Sequence, residues 1–335
     1  MRILLVSQFW PGPADPDLGA FLVPVVEELE RRGHTIDRAV VDRRGAGRRG
    51  DARMALRSAA ARRADVVFAH FLVPAGLVAA VTHPRTPLVV MAHGQDVRNA
   101  VASAPIRRAT ALVARRAHTT IFNSAHLRDQ MPVPVRRAEV VDLGIDLDRW
   151  RGADAGAARE RLGLAGEPGP VFLFAGSLVD RKNLVRLRDA FAAFGRGTLV
   201  VLGDGPLRAE LEGRERVRLE GRVPHEAVRE WVAACDALVL PSLEEPLGQA
   251  LLEAMASERS VVATQVGGPP EFVTPEAGAL VDPLSVESIR AGLEHAAALP
   301  APNAAARRAA EPHALQRQVE RMEAVLHDAA SNTEQ

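Results

Sequence analysis

Tyrosine is absent from this 335-residue chain, cysteine occurs once, at position 235, and aromatic side chains supply only 4% of the residues. One cysteine excludes an intramolecular disulfide framework and a cysteine-based zinc centre. Charge of either sign in excess is also missing: 42 basic residues face 42 acidic ones, so no overall positive field exists for nucleic acid. No stretch of about 18 uninterrupted apolar residues occurs, which argues against a membrane-spanning helix. The opening apolar run, 1–7, is too short for a secretory signal. The expectation is a cytoplasmic protein.

Lysine is the scarcest cation. Lys182 is the only one, and every other member of the 42 basic residues is arginine. A chain that writes arginine by default and lysine once marks a position suited to an ammonium, although a bias toward arginine codons gives the same count. Locally, residues 31–63 are dense in arginine, opposed only by Asp37, Asp42 and Asp51. That segment reads either as a solvated face or as a patch that docks on an anionic acceptor or on anionic lipid, the last being a peripheral membrane contact.

Length and patterning give the architecture. A chain of 335 residues exceeds one ordinary core, so two domains are expected. Apolar strand candidates fall at 3–7, 35–41, 65–69, 88–92, 119–122 and 138–141, with helical patterns at 20–32, 52–63 and 106–116. A second series follows at 171–175, 198–202, 217–220, 237–240, 260–263 and 279–281, with helices at 184–194, 207–213, 225–234 and 247–256. Continuous apolar strands separated by helices are the mark of buried parallel sheets. Each half therefore reads as a doubly wound α/β, Rossmann-like domain, with domains expected at 1–155 and 156–303 and a final helix over 304–335 that packs back on the first domain. Two such domains facing one another would make a cleft at the carboxyl ends of both sheets.

The second half carries the chemistry. A strand leads into Gly176-Ser177-Leu178-Val179-Asp180-Arg181-Lys182-Asn183 and then a helix. Such a turn aims backbone N–H groups and a helix N-terminus at an anion, and a compact ammonium suits phosphate. Gly203-Asp204-Gly205-Pro206 ends the next strand without the third glycine of a dinucleotide fingerprint. Glu245 and Glu253 are eight residues apart, just over two helical turns, so their carboxylates are expected along a similar side of one helix. Glu253 sits among apolar neighbours, where a carboxylate needs partners. Gly267-Gly268 closes a further strand and could present amides to an anion.

These segments resemble the retaining glycosyltransferases of family 4, of GT-B fold, over nearly the whole chain. The most specific element is Pro241-Ser242, Glu245-Pro246-Leu247-Gly248 and Glu253. The resemblance implies a metal-independent enzyme without a cofactor, taking a nucleotide diphosphate sugar (UDP- or GDP-linked) and a carbohydrate, lipid-linked or small-molecule acceptor. By resemblance Glu245 contacts the donor sugar's hydroxyls and Glu253 the ribose. Arg181 and Lys182 neutralise the diphosphate, with Leu247 and Gly248 offering N–H groups. Gly176, Ser177, Gly203 and Gly205 line the donor side, and Arg222 and Val223 the base pocket. Ser177 stands where the family often has arginine, and Leu143 where asparagine is common. In the first half, Gly19 fits the glycine that approaches the donor phosphate, and His93 of His93-Gly94-Gln95-Asp96 faces the donor sugar. Asp96, Asn123 and Asp146 fall on the acceptor side. With so few aromatics, no sugar-stacking platform is evident. Two rivals remain: a GT-B sugar-nucleotide epimerase, and a non-catalytic nucleotide-sugar-binding subunit.

Overall fold

A computed structural model of the protein describes residues 1–61, 64–151 and 154–331. Twelve apolar runs form twelve strands in two parallel sheets. The first contains β1 (Arg2–Ser7), β2 (Thr35–Val40), β3 (Val66–His70), β4 (Leu88–Ala92), β5 (Thr119–Phe122) and β6 (Ala138–Val140), in the order β2-β1-β3-β4-β5-β6. The second contains β7 (Val171–Ala175), β8 (Thr198–Leu202), β9 (Val217–Gly221), β10 (Ala237–Leu240), β11 (Ser260–Thr264) and β12 (Gly278–Val281), in the order β12-β11-β10-β7-β8-β9. Strand order reverses between β1 and β3 in one sheet and between β7 and β10 in the other. In open α/β sheets the crevice at the carboxyl ends of such a pair is the natural ligand position.

The chain divides into two compact units, Met1–Gly144 with Leu315–Gln335, and Ile145–Ala314. The first crossing lies ahead of the expected boundary at 155, because the Ile145 N–H donates to the carbonyl of His313 (2.8 Å) and Trp150 packs in the second core. The expected helix over 304–335 is two helices, Ala304–Ala310 and Leu315–Ser331. Pro312 sits in the break, where it cannot continue the helix above it. The second of these helices buries Leu315, Val319, Met322 and Leu326 with Ile3, Val66, Phe68, Val89 and Met91 of the first sheet.

Sequence patterning missed helices at Gln95–Ala102 and Val286–Ala298, and placed the end of β3 one residue early. The last difference matters, because it brings His70 into the strand and level with Ser7 of β1. In the arginine-dense segment, carboxylates from elsewhere supply partners: Glu28 for Arg31 and Arg32, Glu30 for Arg38, and Asp15 and Asp17 for Arg44. Arg62 and Arg63 lie outside the described residues, as do Gly152 and Ala153 of the expected linker. Among the described residues no helix is long and apolar enough to cross a membrane.

Candidate functional site

In the second unit, the loops after β7 and β10 flank the reversal point. The β7 loop passes Gly176 and the exposed Ser177 and Arg181, then makes a tight turn over Asp180–Lys182. Asn183 follows at φ 61°, a left-handed conformation that asparagine tolerates better than most residues. This turn folds Lys182 inward. The Asn183 amide then donates to the carbonyls of Pro241 (3.0 Å) and Pro283 (2.6 Å), tying three loops together.

Lys182 is only 9% exposed and Glu245 8%. The ammonium Nζ lies 2.5 Å from Glu245 Oε2, and the Ser242 hydroxyl donates to the same oxygen at 3.1 Å. The solitary lysine is therefore a paired charge, with two of its three N–H donors left over for other acceptors. Glu245 is pinned from behind. A Cβ on Gly267 would stand 1.9 Å from the Glu245 carbonyl oxygen, so only glycine fits at its φ of 122°. The Gly268 N–H donates to that same carbonyl at 2.9 Å. The expectation that this Gly-Gly pair offers amides to an anion is thus corrected for Gly268: its amide is already used. Leu247 and Gly248 differ, since among the described residues neither backbone N–H donates to a protein acceptor.

The shared helix face expected for Glu245 and Glu253 does not exist. Gly248, at φ 94°, ends the loop, and the helix begins only at Gln249, leaving Glu245 in the loop and Glu253 on the helix Gln249–Ala256. Glu253 is 9% exposed, and its Oε1 lies 3.7 Å from His225 Nε2. Bonding to that carboxylate raises His225 above the ordinary histidine range, against the effect of its burial. On the other flank, a Cβ on Gly203 would stand 1.9 Å from the Gly176 carbonyl oxygen, while the Gly203 N–H donates to Gly221 (2.7 Å). A Cβ on Gly205 would stand 2.5 Å from the Leu178 carbonyl oxygen, and Arg222 (exposed) and Val223 (half-buried) follow β9. Asp146, expected in the first domain, belongs to the second unit and accepts from the N–H groups of Asp148 and Arg149 in a local turn.

In the first unit the carboxyl ends of β1, β3 and β4 gather a second group. Asp96 is buried, and its oxygens accept from the backbone N–H groups of Leu72, His93, Gly94 and Val97 at 3.0–3.1 Å. Burial raises its carboxyl above the usual range, with those bonds acting the other way. It braces the loop that carries His93. His93 Nε2 lies 3.0 Å from Nδ1 of His70, a residue the sequence reading passed over. A histidine closing an apolar strand was its only signal. Burial depresses His93 to about 3 and holds His70 well below the usual histidine range. The Phe71 and Phe21 rings lie tilted against the His93 ring, with centroids at 4.4 Å and 5.5 Å, so some of the scarce aromatics border this histidine. Gly19 opens the turn Ala20–Leu22 against the Phe9 backbone. Asn123 follows β5, buried, with no partner for its Oδ1.

Comparison with known proteins places these loops in context. Residues 5–149 match the model for Glycosyltransferase Family 4, and residues 169–298 that for Glycosyl transferases group 1. The D-inositol 3-phosphate glycosyltransferase 1 of Catenulispora acidiphila is 32% identical over 286 residues, 70% of this chain and 68% of that protein. The 2-deoxystreptamine glucosyltransferase of Streptomyces kanamyceticus is 34% identical over 149 residues, 40% of this chain and only 38% of its own length. Among solved structures, Anabaena HepE in complex with UDP superposes with a TM-score of 0.77 at 21% identity, covering 98% of this chain and all of that one, and a likeness at that identity speaks for the fold.

Proposed function

The chain belongs to the glycosyltransferases of GT-B fold, and on that premise we propose that it moves a sugar from a nucleotide diphosphate sugar to an acceptor hydroxyl, with retention and without a metal or other cofactor. One observation carries the reading: the chain's only lysine ammonium is held almost buried at the reversal point of the second sheet by Glu245, whose loop also carries the Leu247 and Gly248 N–H groups, without acceptors among the described residues. Breaking the bond between the anomeric carbon and phosphate builds charge on the departing diphosphate. Fixed cations and amides stabilise that charge without reorganising. Lys182, Arg181 and the Leu247 and Gly248 amides take this part. Glu245 uses Oε2 to hold Lys182 and keeps Oε1 for a sugar hydroxyl, and Glu253 accepts from the ribose. His93 is assigned to the sugar. The HepE complexes with UDP and with UDP-glucose support a uridine donor as the first to try. Kinship with the family supports retention.

The test is a thermal-shift screen of the full chain against UDP-, GDP- and ADP-sugars, followed by product analysis. A donor at about 100 times its Kd adds roughly 2.7 kcal/mol of stability. One donor class stabilising the protein, transfer with retained anomeric configuration, and turnover unchanged by EDTA are the expected results. An epimerised sugar nucleotide formed from donor alone, or tight binding with no turnover on any acceptor, would overturn the transferase reading.

A further inference from the structure

His70 closes β3 at the reversal point of the first sheet and is fully buried. Its Nδ1 faces His93 Nε2 at 3.0 Å, and the two rings stack with centroids 5.2 Å apart and 27° between planes. Its other nitrogen, Nε2, is sealed from solvent and has no partner. Phe68 lies 4.4 Å from the His70 ring, and Phe21 and Phe71 border His93, so three of the ten phenylalanines wall in one histidine pair. Phe71 itself holds φ 76°, a conformation bulky residues rarely adopt outside strained functional loops. Asp96 is the buried carboxylate of these loops, and its bonds go to backbone N–H groups, none to either imidazole.

Two neutral imidazoles joined by one bond share one bridging proton, and each ring has one donor and one acceptor nitrogen. The bridge therefore couples the rings. If His70 Nδ1 carries the proton, His93 must carry its own on Nδ1; if His93 Nε2 carries it, Nδ1 of His93 is bare. The two arrangements also leave different atoms stranded at the sealed Nε2 of His70, an N–H in one and a lone pair in the other, so they cannot be equal in energy. The other nitrogen of His93, Nδ1, has no partner among the described residues and is not sealed.

We propose that His70 is a positioning residue: through its bond to Nε2 it fixes His93 in one ring orientation and one neutral tautomer, so that His93 Nδ1 meets the sugar with a single hydrogen-bonding character. The sugar half of this rests on the proposed transferase function; the tautomer lock does not. Filling the core would not require the bond, since phenylalanine offers a similar flat shape. The test combines long-range 1H–15N spectra of the histidine-labelled full chain with steady-state kinetics. Wild type should show His93 as one neutral tautomer at pH 7. His70→Phe should leave His93 averaged between tautomers and lower kcat about tenfold or more with donor KM little changed. His70→Gln, which can still bond, should recover part of the loss. A His93 already averaged in wild type, an unchanged His93 signature in His70→Phe, or unchanged kcat in a folded His70→Phe would overturn the proposal. If His70→Phe fails to fold, the wild-type spectrum and His70→Gln decide it. A chain that shows the lock but turns over no donor would refute the transferase reading alone.

Discussion

Lys182→Met removes the one lysine ammonium and strands a carboxylate. Glu245 is 8% exposed, and without Lys182 its Oε2 keeps only the Ser242 hydroxyl. Removing one partner of a buried pair typically costs about 3–5 kcal/mol, because the remaining charge is left desolvated. The surviving serine bond returns about 1 kcal/mol, so a loss of about 3 kcal/mol is expected. Lys182→Met combined with Glu245→Gln removes both charges and should cost less than Lys182→Met alone, a coupling of roughly 2 kcal/mol in the double-mutant cycle. Urea titration followed by tryptophan fluorescence reads this directly, since Trp150 and Trp231 both pack in the second unit's core. Additive losses would mean that the pair seen at 2.5 Å is not an energetic unit. A separate calorimetric arm tests the phosphate role: Lys182→Met should weaken UDP or GDP binding by about 2 kcal/mol, some thirtyfold, as befits a charge-assisted bond to phosphate. Unchanged affinity in a folded variant would refute that role, whatever the stability arm shows.

Two further predictions follow from the same geometry. His93 is held to about 3 when folded and titrates near 6.5 when unfolded, so the stability it contributes is complete above about pH 6.5 and is lost as pH falls toward 3. The loss is about 2 kcal/mol at pH 5, trimmed to about 1–2 because one edge of the ring reaches solvent. His70 shifts in the same sense, and Asp96, raised by burial, opposes both. Thermal melts of wild type and His93→Phe should therefore converge as the medium is acidified from pH 7 to 5, and parallel profiles would count against the dry histidine pair. In steady-state kinetics, Glu253→Gln should raise the donor's KM more than Glu245→Gln does, since the ribose is bound equally before and during bond cleavage; the reverse ranking would exchange the two roles.

The second-unit site was the more legible of the two. Glycines, one lysine and two glutamates were placed by local signals, strand ends and turn residues, and these depend on neighbours along the chain. What local signals could not carry was how the side chains use one another. Lys182 and Glu245 are 63 residues apart in sequence, and only the parallel pairing of β7 with β10 makes their loops adjacent. Asn183 looked like the tail of a motif until its amide was seen bonded to loops 58 and 100 residues away. The Gly268 amide was open on paper and is occupied in the fold.

By itself, the order of apolar runs determined two parallel α/β sheets, and the turn residues marked which strand ends carry chemistry, because periodicity and backbone freedom are local properties of a chain. Only the tertiary structure decided which charges are paired, which amides stay without acceptors, and that His70 and His93, 23 residues apart, share one hydrogen bond. Those are properties of desolvation, and a side chain's access to water is set by every element packed around it.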